Sequence, residues 1–315
     1  MEQRNNKKHI IFMVISIIVV LITGFGIAFY IKDQNYKKSD DYKLKQIGYN
    51  EEEIVIIKQM NDNQKKIIFN NNYNDKMIDL VQKQYFLEKN LDKYLSYSQN
   101  NTDKQLDEII AIINVGADKE WYTDPKQTEI SYNNSLLTNK FYQLSEDYEP
   151  TDLKDISNVY SYGENQKLRN DAYNAFIEMF NDAKKENVTL IINSSYRSYQ
   201  DQKETYEKYL TWYGEDETNK LAAKPGFSEH QTGLAVDIQT YGSNKSNFEQ
   251  TDAFKWLQDN AYKYGFILRY PKDKEYLTGY SYESWHYRYV GTEIAQYIKD
   301  NNITFDEYYA FFIEE

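Results

Sequence analysis

Between Ile10 and Ile31 the chain runs for 22 residues without a charge (IIFMVISIIVVLITGFGIAFYI). As a helix this run spans about 33 Å at 1.5 Å per residue, enough for a hydrocarbon core of about 30 Å. It is apolar on all sides, whereas a helix packed on a soluble domain keeps a polar face. A transmembrane signal-anchor over 10–31 is therefore expected. Arg4, Lys7 and Lys8 precede it on the short side and predict a cytoplasmic N-terminus over 1–9, although Lys32, Lys37 and Lys38 follow it. A cleaved signal peptide fits less well, because the run exceeds the usual apolar region and no small-x-small site follows it. The rest of the chain then lies outside the membrane, beyond a polar linker over 32–41.

At 315 residues the chain has room for one catalytic domain and something smaller. Its formal net charge of −12 works against binding a phosphate backbone, so nucleic acid is not an expected partner. There is no cysteine, which excludes thiol catalysis, disulfides, lipoprotein processing and cysteine-ligated zinc. Any transition-metal site must come from His, Asp and Glu.

Residues 42–132 read as a helical spacer without visible chemistry. In YNEEEIVIIKQM, Asn50 caps a helix with Glu53 completing a capping box, and Ile54, Ile57 and Met60 share one face. KMIDLVQKQYFLEKNLDKYL is also helix-periodic. In NNTDKQLDEIIAII, Thr102 or Asp103 is the cap, and Leu106, Ile109, Ile110 and Ile113 form the buried stripe. From 133 to 315 the pattern changes to alternating helices and strands, an α+β domain. Its expected elements are a helix over Leu168–Glu186 with Ala172, Phe176, Met179 and Ala183 inward, a strand over Val188–Asn193 and a helix over Tyr199–Tyr213. A strand over Leu234–Ile238, a helix over Asp252–Tyr264 stopped by Gly265 and a strand over Trp285–Val290 follow.

The chain has three histidines, and only His230 and His286 lie in this domain. In PGFSEHQTGLAVDI, Gly233 permits a sharp turn between His230 and a strand carrying Asp237. A catalytic zinc takes three protein ligands and leaves a fourth position for water, and His230, Asp237 and His286 meet that count. Such a metal lowers the pKa of water to about 7 and polarises a scissile carbonyl. Glu283, three residues before His286, is the candidate general base. Arg197, at a strand end in SSYRSYQDQ, is the candidate for stabilising an oxyanion. An aspartate inside LAVDI is costly to bury without a strong partner, which favours a metal over a structural role.

These residues carry a family resemblance over roughly Asn133 to the C-terminus. Ser228, His230 and Asp237 form S-x-H-x(6)-D, Glu283, Trp285 and His286 form E-x-W-H, and Tyr196, Arg197 and Ser198 form Y-R-S, with Gln202 following. In these motifs the chain resembles the VanY-type D-alanyl-D-alanine carboxypeptidases, zinc peptidases acting on peptidoglycan. The resemblance implies a small domain with a central antiparallel sheet flanked by helices and one zinc ion held by His230, Asp237 and His286. It assigns water activation to Glu283, assistance to the substrate or transition state to Arg197, and substrate contacts to Ser228 and Gln202. Ser284 stands where many relatives have proline, which changes loop rigidity rather than ligation.

The expected reaction is removal of the C-terminal D-alanine from peptidoglycan stem peptides. An LD-carboxypeptidase trimming tetrapeptide stems carries closely similar motifs and is the first alternative. A non-catalytic wall-binding protein of the same fold is the second, and it would be favoured by a missing ligand or base.

Overall fold

The computed structural model describes residues 2–314, and of residues 2–12, 14 and 15 the backbone alone. The side chains expected on the cytoplasmic side, His9 with Arg4, Lys7 and Lys8, lie outside the described residues. The chain divides into two compact units, Met1–Leu91 and Asp92–Glu315, so that the spacer expected over 42–132 is shared between them.

The first unit is helical, with α1 (Glu2–Lys37), α2 (Asp40–Ile47), α3 (Glu51–Gln59), α4 (Asp62–Asn70) and α5 (Met77–Gln82). Within α1, Ser16–Lys37 is long and apolar enough to cross a membrane, and none of it is buried by protein. The linker expected over 32–41 is almost entirely helical. An i,i+4 ion pair between Asp33 and Lys37 (2.8 Å) extends α1, and the Ser39 hydroxyl accepts from the Tyr42 amide to start α2. The capping box on α3 is present, with Asn50 and Glu53 bonded reciprocally at 2.8 and 2.9 Å, and Ile54, Ile57 and Met60 are buried. The long helix suggested by KMIDLVQKQYFLEKNLDKYL is instead broken after Gln82.

The second unit opens with α6 (Leu91–Asn100) and α7 (Leu106–Val115). Neither Thr102 nor Asp103 caps α7; Gln105 takes that position without a side-chain bond. Ile109 to Val115 are all buried, not one stripe alone, as expected of a helix covered on several sides. Its Ala111, Ile112 and Val115 pack with Leu277 and Ala310, so α7 belongs to the core of this unit.

Two short pairs follow, β1 (Lys126–Gln127) with β2 (Tyr142–Gln143) and β3 (Leu153–Asp155) with β4 (Lys167–Arg169). Then come α8 (Asn170–Lys185), β5 (Ile191–Ser194), α9 (Tyr199–Tyr213), α10 (Glu215–Leu221), β6 (Ala235–Gln239) and α11 (Asp252–Asn260). The unit ends with β7 (Phe266–Leu268), α12 (Glu275–Thr278), β8 (His286–Tyr289), α13 (Thr292–Asn301) and α14 (Phe305–Phe312). β5, β6, β8 and β7 lie in that order in one antiparallel sheet, as the α+β expectation required.

Period-two alternation gives this sheet two different faces. Val236, Ile238, Phe266 and Tyr287 face a core with Phe176, Met179 and Ala183 of α8 and Trp256 and Leu257 of α11. Asp237, His286 and Arg288 alternate with them and face the opposite side. Gly265 ends the helical stretch before β7 at φ +81, where a Cβ would lie 2.8 Å from the Tyr289 ring.

Candidate metal centre

The register of β6 against β8 brings the first two expected ligands together, because Asp237 is paired directly with His286. Asp237 Oδ1 lies 3.1 Å from His286 Nδ1. His230 arrives from the 3-10 turn Glu229–Thr232, which ends at Gly233 with φ +68. A side chain at Gly233 would meet Arg169 and Leu153 at 2.9 and 3.0 Å, so the turn into β6 requires glycine. His230 Nε2 is then 3.4 Å from Asp237 Oδ1. One ligand atom from each of His230, Asp237 and His286 lies within 4.8 Å of the others, and all three residues are buried.

The donor set suits a divalent transition metal, and the surroundings fit it. His230 Nδ1 bonds the Ser195 carbonyl at 2.7 Å, which turns Nε2 toward the cluster. His286 is used the other way round: Nε2 faces Glu229 Oε2 at 3.3 Å and Nδ1 faces Asp237. An imidazole held through its second nitrogen by a carbonyl or carboxylate has its tautomer and orientation fixed for ligation. Burial, with Arg197 nearby, lowers His230 to about 4 and keeps it neutral. Burial acts in the same direction on His286, but its bonds to Asp237 and Glu229 outweigh it and raise His286 to about 9. Burial would raise Asp237; the charge of Lys245 and its bonds to His230 and His286 hold it well below the usual carboxylate range.

Glu283 stands beside the trio, its Oε2 3.5 Å from His286 Nδ1, and burial lifts its carboxyl to about 6 against the pull of His286 and Lys245. Arg197 follows β5 on a backbone bonded to the His230 carbonyl. Its Nη1 donates to Gln202 Oε1 at 2.8 Å, and its buried Nε has no partner. Among the described residues no carboxylate pairs with Arg197 within 4.0 Å. Gln202 also donates to the Ala223 carbonyl at 2.7 Å and is 1% exposed, so both ends of its amide are engaged inside the protein. Ser228, His230, Asp237, Glu283, Arg197 and Gln202 all line one cleft, walled by Tyr270 and Tyr280.

Sequence reasoning missed Glu229, Lys245, Arg269 and Arg288. Glu229 Oε1 accepts from Arg269 Nε at 2.7 Å and from Arg288 Nη1 at 2.9 Å, while its other oxygen meets His286. Arg269 also pairs with Asp306 of α14, which accepts from Asn139 at 2.7 Å. Both arginines have no exposed surface. Such a network survives burial only because every charge is paired. Strand period was the available signal: Arg288 is two residues from His286 and shares its face. Lys245 Nζ reaches Asp237 Oδ2 at 3.0 Å from the loop after β6, leaving Oδ1 toward the histidines. No spacing rule announces that contact.

Residues 165–292 match the family model described as VanY, D-alanyl-D-alanine carboxypeptidase. YodJ of Bacillus subtilis (strain 168), a carboxypeptidase by name, is 47% identical over 182 residues, 55% of this chain and 66% of that protein. A D-alanyl-D-alanine carboxypeptidase of Enterococcus faecium is 36% identical over 197 residues, 60% of this chain and 61% of its own length. The chain thus spans just under two thirds of these curated relatives. Among solved structures, the LdcB LD-carboxypeptidase superposes with a TM-score of 0.56 and 43% identity, covering 59% of this chain and 90% of that one. The motifs, the sheet that brings them together and these matches converge, and the chain belongs to the VanY-type D-alanyl-D-alanine carboxypeptidase family.

Proposed function

We propose that this protein is a zinc-dependent carboxypeptidase that removes the C-terminal D-alanine from peptidoglycan stem peptides. The observation that carries this reading is the buried His230, Asp237 and His286 trio in one cleft with Glu283 and with Arg197, a half-buried cation whose Nε is buried unpartnered and which lacks a carboxylate partner. A guanidinium partly withdrawn from water without a counter-ion is unfavourable, and a substrate ending in a free carboxylate supplies one.

His230 Nε2, Asp237 and His286 Nδ1 would hold one zinc ion, which supplies Lewis-acid chemistry by polarising a carbonyl and acidifying water. Glu283 takes the proton of the attacking water and returns it to the leaving amine. Its half-buried position, with a carboxyl near 6, suits both directions of transfer. Arg197 meets the anionic end of the substrate and the charge that develops on the carbonyl oxygen. Gln202 acts on Arg197 rather than on the substrate, because its amide is already bonded at both ends. Ser228 lines the cleft where a substrate contact was expected. Ser16–Lys37 serves as a single membrane anchor, with the catalytic unit on the outer side facing the wall.

LdcB favours a second reading, an LD-carboxypeptidase that trims tetrapeptide stems. Incubation of the zinc-loaded protein with purified pentapeptide and tetrapeptide muropeptides, read by mass spectrometry, separates the two. Loss of one alanine from the pentapeptide alone supports the proposal, and shortening of the tetrapeptide alone replaces it with the second reading. No release from either rejects both.

A further inference from the structure

Helix α9 continues beyond the cleft in a way that the ligand cluster does not explain. Gln202, Thr205 and Tyr209 line the cleft. Tyr209 touches two further aromatics on the same side of the helix, with ring centroids 5.8 Å from Trp212 and 5.7 Å from Tyr213. Trp212 and Tyr213 pack edge to face at 6.2 Å and are 66% and 53% exposed. The fold does not require them outside, since α9 is anchored through buried Gln202 and Tyr206. A contiguous exposed aromatic group of this kind marks a binding surface rather than scattered surface apolarity.

Its position suggests the occupant. From Gln202 to Trp212 the helix advances about 15 Å at 1.5 Å per residue. An extended peptide covers about 3.3–3.6 Å per residue, so a stem of four to five residues lying along α9 spans about 13–18 Å. With its C-terminus in the cleft, the other end of the stem, where it joins a sugar, reaches the level of Trp212 and Tyr213. Indole and phenol rings present electron-rich faces that attract the weakly positive C–H face of a pyranose, and they lose little conformational freedom on binding. The net charge of −12 disfavours an anionic polymer there and leaves an uncharged sugar ring as the fitting partner.

We propose that Trp212 and Tyr213, continued into the cleft by Tyr209, form a platform for the glycan strand, stacking on N-acetylhexosamine rings while the attached stem occupies the catalytic cleft. The platform deepens the carboxypeptidase reading and rests on it for the occupant of the cleft. It makes the protein selective for stems still joined to glycan over free peptides.

The test uses the full-length, zinc-loaded protein and the W212A/Y213A double variant, with circular dichroism to verify folding. Binding of uncharged strands of N-acetylglucosamine, which carry no lactyl carboxylate, is measured by calorimetry. The ratio of kcat/KM for glycan-linked over free pentapeptide is measured separately. We expect about tenfold weaker glycan binding in the variant and a similar fall in that ratio, carried by KM. Wild-type protein that does not bind the strands, or a folded variant that binds them equally well, overturns the platform. So does a variant whose only change is loss of self-association in sedimentation, which makes this face a contact between copies. If neither substrate releases alanine, the carboxypeptidase reading fails, and the calorimetry still decides the platform by itself.

Discussion

The division of labour among the cleft residues gives sharp expectations for single substitutions. Glu283→Gln keeps the shape and removes the base. Turnover should fall by about 10²–10⁴-fold while elemental analysis still finds zinc, and undiminished turnover rejects the base assignment. His286→Ala removes an expected ligand instead, so the metal itself should be lost. Lys140, unremarkable in the sequence, has no exposed surface and places its ammonium 3.8 Å from the centre of the Tyr280 ring. It donates to Tyr122 at 3.1 Å and to the Asn219 carbonyl. Burial, with the charge of Lys224, lowers its pKa from 10.5 to about 7. The unfolded chain therefore binds the extra proton between these values, and folding gains stability as pH rises through that window. His286, raised from 6.5 to about 9, pulls the other way but is common to both proteins when wild type is compared with Lys140→Met. Denaturant titrations from pH 7 to 9.5 should show wild type gaining on the variant by up to about 1 kcal/mol per pH unit. A constant difference argues for a lysine kept charged by its aromatic neighbours.

At the scale of elements, the polar face of the sheet is held by charges rather than by apolar contact. Glu229, Arg269, Arg288 and Asp306 join the turn before β6, the residue that follows β7, strand β8, and α14. Removing one member leaves another buried without its partner, so Asp306→Ala should lower stability by about 3–5 kcal/mol in chemical denaturation. Glu229→Gln acts closer to the expected metal. It frees the far nitrogen of His286 from its carboxylate and should weaken zinc binding by about 10–100-fold in a chelator competition. An affinity unchanged by that substitution rejects the orienting role of Glu229. Many helices around the sheet could be read in advance, because their grammar is local. Ala172, Phe176, Met179 and Ala183 on α8 are buried as their spacing predicts, and α9 occupies Tyr199–Tyr213 as expected. The cap of α7 was misread because Thr102 and Asp103 suit a cap equally well in isolation, and burial of the helix on several sides decides where it starts.

For the whole molecule, the position of the unit boundary has a practical consequence. Helix α7 contributes Ala111, Ile112 and Val115 to a cluster with Leu277 and Ala310. Residues 91–315 expressed alone should therefore unfold in one cooperative transition and bind zinc. Residues 133–315, the division suggested by the change in sequence pattern, should melt at lower temperature or precipitate, because that cluster loses three of its five buried members. Equal melting temperatures for the two reject the structural role of α7. The amino-acid sequence by itself determined the chemistry available to the cleft. Without cysteine and with only His230 and His286 in the second unit, few other ligand sets existed, and the uncharged run after Ile10 was visible as composition alone. Tertiary structure decided which groups meet. Pairing of Asp237 with His286, closure of Glu229 on two arginines, and the reach of Lys245 all depend on strand register and loop path. Periodicity reports which face a residue occupies. It does not report what lies opposite, because contacts between residues distant in sequence are selected by packing of the whole unit.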